Sequence, residues 1–129
     1  MKSYTDLNQS KKLAEILPLE SAEMWYHGHY SPWESERKYN SKPCPFHSTL
    51  PNWDKPCWSL AALLDVLESE IGGEEGEIYQ LNIEKDGPWW DVWYREQYDE
   101  ANPIETESTE DLVDACYDMI IKLHEDKLL

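Results

Sequence analysis

The sequence predicts an α+β domain in which three amphipathic helices pack on one face of a small antiparallel sheet, two layers around one core. Three observations predict it. Apolar residues recur at helical spacing in three separate stretches. Apolar residues alternate from Tyr79 to Ile83 ahead of an Asp86-Gly87 turn signal, and a return strand bulky on both faces, Trp89 to Tyr94, follows it. Prolines and glycines punctuate the segments between. At 129 residues the chain has room for one core, so residues 1–129 are expected to form a single domain.

The first helix is predicted over about Leu7 to Leu17. Asp6 and Gln9 stand at capping-box spacing, Leu13, Ile16 and Leu17 make a short apolar face, and Pro18 stops the run. Met24 to Tyr30 is aromatic enough for a strand, with Gly28 marking a bulge. Between Ser31 and Pro56 five prolines forbid long elements, although Tyr39 or Phe46 is placed for a short edge strand. The second helix opens at Ser59 and carries Leu60, Leu63, Leu64, Leu67 and Ile71, with Leu64 central and Gly72-Gly73 as its stop. A hairpin follows, from Tyr79-Gln80-Leu81-Asn82-Ile83 to Trp89-Trp90-Asp91-Val92-Trp93-Tyr94. Tyr98 to Glu107 reads as an acidic connection. The third helix starts after Ser108 or Thr109, with the stripe Leu112, Cys116, Met119, Ile120 and Leu123.

Hydrophobic residues make up 40% of the chain and charged ones 29%, a globular composition. It contains seven Trp and eight Tyr against one Phe, which suits either an aromatic core or a binding surface. The formal charge of −16 opposes contact with phosphate backbones and anionic membranes, so neither nucleic acid nor membrane is expected as a direct partner. The first residues lack the apolar stretch of a secretory signal, and no apolar run approaches the ~20 residues of a membrane span. Cys44, Cys57 and Cys116 are odd in number and too few for a disulfide framework. Reduced thiols in the cytoplasm are the expectation.

Three segments carry a resemblance: Ser10-Lys11-Lys12-Leu13-Ala14-Glu15-Ile16-Leu17-Pro18, Pro56-Cys57-Trp58-Ser59-Leu60-Ala61-Ala62-Leu63-Leu64, and Asp114-Ala115-Cys116-Tyr117-Asp118-Met119-Ile120-Ile121-Lys122-Leu123-His124. Together they resemble a family of small uncharacterised proteins of gut anaerobic bacteria, their phages and other mobile elements. The resemblance implies a cytoplasmic home and a mobile-element origin, and leaves the function blank. It transfers no catalytic residue and no ligand.

Several constellations invite chemistry. Cys44 and His47 form a C-x-x-H pair that Cys57 with His27 or His29 would have to complete for a tetrahedral zinc. Cys57 precedes a helix, where a dipole lowers a thiol pKa, and His47 is an available base. Glu68, Glu70, Glu74, Glu75 and Glu77, and the acids between Asp99 and Asp114, lack the ligand spacing of a calcium loop and read as solvated surface. A proline-rich loop and a buried small thiol account for the cysteines without chemistry. No catalytic, cofactor-binding or metal residue is therefore assigned, and no cofactor is expected.

The return strand of the hairpin stands apart. Alternation puts Trp89, Asp91 and Trp93 on one face and Trp90, Val92 and Tyr94 on the other. Helices cover one face only. The face of Trp89, Asp91 and Trp93 is either roofed by the Ser31–Pro56 loop, through Trp33 and Trp53, or used for association. The expected function is a non-enzymatic accessory protein acting through an unidentified protein partner, as a monomer or weak homodimer. The alternatives are an acidic nucleic-acid mimic that inhibits a host enzyme, and a small metal- or thiol-dependent enzyme.

Overall fold

A computed structural model describes residues 1–29, 38–47 and 53–129. The class is α+β, with three α-helices and antiparallel sheets. Contacts divide the chain into two compact units: Tyr4–Ala62, and Leu63–Leu129 together with Met1–Ser3.

In the first unit, α1 spans Leu7–Ala14 and opens with the expected capping box. The Gln9 amide donates to Asp6 Oδ1 (2.8 Å), and the Asp6 amide donates to Gln9 Oε1 (3.1 Å). The helix closes three residues earlier than its apolar face suggests. Its last turn tightens into i→i+3 bonds, Glu15 N–H to the Lys12 carbonyl (3.1 Å) and Ile16 N–H to that of Leu13 (3.0 Å). Pro18 disfavours helical geometry at Leu17, and a 3-10 turn at Leu19–Ser21 follows.

The predicted strand over 24–30 is broken at His27 into β1 (Met24–Tyr26) and β2 (Gly28–His29); Tyr30 lies outside the described residues. Strand β2 pairs with β3 (Lys38–Tyr39), and β1 with β4 (Lys55–Cys57). A proline inside β4 is tolerated for a specific reason. Trp25 exchanges both backbone bonds with Cys44 (2.7 and 2.8 Å), so its pairing with Pro56 is a non-hydrogen-bonded one. The missing N–H of Pro56 is not required there. Phe46, the other edge-strand candidate, is outside any strand and exposed.

The second unit begins within α2 (Leu60–Val66), whose start is capped as expected by Ser59 Oγ accepting from the Ala62 amide (3.1 Å). The end of this helix corrects the sequence reading. Ile71 does not continue it but lies in β5 (Glu70–Gly72), opposite Tyr79, and Gly72-Gly73 opens a turn instead of closing a helix. Gly73 N–H reaches the Glu77 carbonyl (2.8 Å), and Gly76 supplies the positive φ of 87° the turn needs. Leu64, expected at the stripe's centre, is half-buried; Leu63 and Leu67 are the buried pair at i, i+4.

The larger sheet has the order β5-β6-β7-β8, with β6 (Ile78–Asp86), β7 (Trp89–Glu96) and β8 (Ile104–Glu105). Asp86 pairs with Trp89, leaving Gly87-Pro88 as a two-residue loop. Gly87 has φ 60°, while proline fixes the next φ negative, which makes the turn type II′. The acidic connection hides β8, and Thr109 bridges to Trp90. Helix α3 (Leu112–Glu125) is capped by Asp111, whose carboxylate accepts from Val113 and Asp114 amides, and its predicted stripe is buried throughout. It packs on β7 over Val92 and Tyr94. Among the described residues the strands thus form three small sheets, where the sequence predicts one; strands of two or three residues leave no alternation to read.

Candidate interaction face

Strand β7 divides its side chains as expected. Val92 and Tyr94 are buried under α3, while Trp89 is 46% exposed and Asp91 and Trp93 are half-buried. The ladder adds neighbours to that outer face. Glu84 of β6 stands directly opposite Asp91, Asn82 opposite Trp93, Asp86 opposite Trp89, and Glu105 of β8 opposite Trp93 from the other side. Between them an open groove of about 270 Å³ is lined by Glu84, Asp91, Val92, Trp93, Pro103, Glu105 and Thr106. The Ser108 hydroxyl donates to the Asp91 carboxylate and fixes its direction.

Like charges directly opposite on a strand pair are destabilising, so the Glu84–Asp91 pairing is a cost carried by the fold. Carboxylates flanking an indole form a surface suited to a cation: the charge attracts, and the ring face holds the guanidinium or ammonium. Trp33, one half of the expected roof, lies outside the described residues. The sequence reading missed Glu105 and Pro103, because β8 is too short to be seen in it.

The other constellations are taken up elsewhere. Cys57 is fully buried, and its thiol sits in a ring of hydroxyls: Thr5 Oγ1 at 3.6 Å, with the Thr5 carbonyl at 3.4 Å accepting from the thiol. Burial pushes its pKa up against the lowering hydrogen bonds of Thr5, Ser10 and Tyr26, so it stays a neutral thiol where a nucleophile would ionise. Cys116, on the α3 stripe, is pushed up to about 12 by burial. His47 does not meet Cys57 but Asp54, Nδ1 to Oδ2 at 3.4 Å, with its ring 4.0 Å from that of Trp25. His27 Nε2 lies 2.8 Å from the Phe46 carbonyl, and His29 is bonded to Asn40. Among the described residues no three His, Cys, Asp or Glu side chains are gathered as metal ligands.

A second depression, of about 360 Å³, lies along α3 between Thr106, Glu107, Tyr117, Asp118, Ile121, Lys122 and Glu125. Desolvation, and then the Asp114 and Glu107 charges, raise the Asp118 pKa against the lowering influence of Lys2. Its sequence signal is the i, i+4 pairing of Asp114 with Asp118 and of Tyr117 with Ile121.

Comparison with protein-family models, curated proteins and solved structures finds no match for this chain. No helix among the described residues is long and apolar enough to cross a membrane.

Proposed function

We propose that this is a non-enzymatic interaction protein whose outer sheet face receives a cationic segment of a protein partner. The observation that carries this is the placement of Trp93 between Asp91, Glu84 and Glu105 in an open groove, with Trp89 exposed beside it. The exposed Trp89 and the uncovered part of Trp93 leave indole area in water, and a large side chain is worth roughly 1.5–3 kcal/mol when fully buried. Surrounding carboxylates keep such a face soluble and select its partner by sign.

The test is titration calorimetry with tri-arginine and with triglutamate. Tri-arginine binds, triglutamate does not, and Trp93→Ala weakens binding at least tenfold. Equal binding by Trp93→Ala ends this reading. A second reading, an acidic mimic of nucleic acid, would use the carboxylates of Glu107, Asp118 and Glu125 beside α3, Asp114 being paired with Lys2 at 2.5 Å. On that reading Asp118→Asn, and not Trp93→Ala, removes inhibition of a nucleic-acid enzyme.

A further inference from the structure

The sheet has one unequal edge. Strand β7 is covered along its far side by β8 and by Thr109, whereas β5 reaches only Gln80, Tyr79 and Ile78 of β6. One further bond, Leu81 N–H to the Ser69 carbonyl (2.9 Å), ends that cover. The ladder fixes where the remaining backbone groups of β6 point. Trp90 gives and takes both its bonds with Thr109 (2.6 and 3.1 Å), so its pairing with Lys85 is a non-hydrogen-bonded one. The N–H and C=O of Lys85 therefore face away from β7. By the period of two, so do those of Ile83, in register with the outward Leu81 amide. Among the described residues nothing pairs with them, Ile83 is 38% exposed and Lys85 is exposed.

An unpaired strand edge is a template for another strand. We infer that the distal half of β6, from Asn82 to Asp86, is a strand-addition site that takes an extended, antiparallel segment of a partner with alternating cationic and apolar side chains. This rests on the cationic partner proposed above and adds how it is held.

Charge selects that occupant. Glu84 and Asp86 project on the outer face, where Asp91 reinforces them, and Ile83 projects on the other. A second copy of the chain pairing with this edge about Glu84 would set Glu84 against Glu84, a like-charge contact that disfavours self-pairing. A strand carrying Arg or Lys toward Glu84 and Asp86, and an aliphatic toward Ile83, satisfies both faces and the backbone together.

The probe is an acetylated, amidated peptide of three Arg-Val repeats, compared with tri-arginine. Strand addition predicts at least tenfold tighter binding of the repeat peptide, and at least tenfold slower hydrogen exchange at the Ile83 and Lys85 amides. N-methylation of the valine amides, which face β6 in this pairing, removes the advantage; N-methylation of the arginine amides leaves it. Lys85→Pro deletes an outward N–H without touching the β6–β7 ladder and should lose the repeat peptide's advantage while binding tri-arginine normally. Valine methylation without effect overturns strand addition, even where Trp93→Ala still weakens tri-arginine and the face reading stands. Protection of Ile83 and Lys85 that rises with protein concentration and no peptide makes a second copy the occupant, and overturns it too.

Discussion

The cores of the two units are held by different means. In Leu63–Leu129 the largest fully buried side chains are Leu63, Val113, Met119, Ile120 and Leu123 with Cys116, and Tyr94, the large aromatic among them, donates its hydroxyl to the Glu68 carbonyl (2.6 Å). In Tyr4–Ala62 the buried set is threaded by polar atoms. Thr5 Oγ1 meets Ser10 Oγ (2.8 Å) and accepts from the Trp58 amide (3.1 Å). The Thr5 carbonyl accepts from Tyr26 (2.7 Å) and from Cys57, and the Trp58 indole donates to Ser21 Oγ (2.9 Å). The Leu63–Leu129 core gains from apolar area, which is additive and forgiving of shape. The Tyr4–Ala62 core depends on every donor keeping its acceptor, because a buried group left unpaired costs more than the bond gained.

The largest effect expected from this contrast is in the apolar core. Met119→Ala removes a fully buried side chain between α3 and its surroundings, and the cavity should cost about 2–5 kcal/mol in denaturant unfolding. A loss under half a kilocalorie would show that the stripe is not packed as described. Next comes Thr5→Val, which keeps the shape and deletes the hydroxyl. It strands the Trp58 N–H and the Ser10 hydroxyl and should cost about 1–3 kcal/mol, whereas Thr5→Ser should restore most of it. If valine and serine behave alike, the hydroxyl contributes nothing and the contrast between the cores fails.

Both cores share an alkaline weakness. Burial raises the Tyr94 phenol from 10.0 to about 12 and the Cys116 thiol from 9.0 to about 12, and raises Tyr26 as well. Each group keeps its proton in the folded chain and gives it up earlier when unfolded. The unfolded state then binds fewer protons, and stability falls as pH rises. The contribution is whole below the unfolded values and is lost between about pH 9 and pH 12. Tyr94→Phe should flatten that slope by one proton's worth in unfolding curves taken across this window. An unchanged slope would mean that Tyr94 ionises as freely folded as unfolded.

How far this was readable in the sequence depends on the range of the cause. The Asp6–Gln9 box, the Ser59 cap, the α3 stripe and the hairpin about Asp86-Gly87 are local and all appear. Leu67 and Ile71 sit at helical spacing, yet the pairing of Ile71 with Tyr79 decides for a strand, and no local signal announces it. Thr5 and Cys57 are 52 positions apart, so their bond is invisible to any window. The site divides likewise. Alternation separates Trp89, Asp91 and Trp93 from Val92 and Tyr94, but the Glu105 wall and the Ile83–Lys85 edge, unpaired among the described residues, follow only from the ladder.

The smallest effect concerns the end of α3. Leu128 N–H reaches the Leu123 carbonyl (2.8 Å) and Lys127 N–H that of His124 (3.1 Å), the paired bonds of a Schellman close with Asp126 as C-cap. Such a close places its next residue in left-handed conformation, and Lys127 has φ 59°, where a Cβ crowds the carbonyl and glycine does not. The bonds to Leu123 and His124 involve backbone alone, and Lys127 is exposed, so its side chain contributes little to set against the strain. Lys127→Gly should therefore stabilise the chain by about 0.5–1 kcal/mol, reduced by glycine's greater freedom when unfolded. Lys127→Asn, which tolerates this region, should fall between the two. Should Lys127→Gly destabilise instead, the lysine's favourable position beside the helix C-terminal dipole outweighs the strain of its backbone.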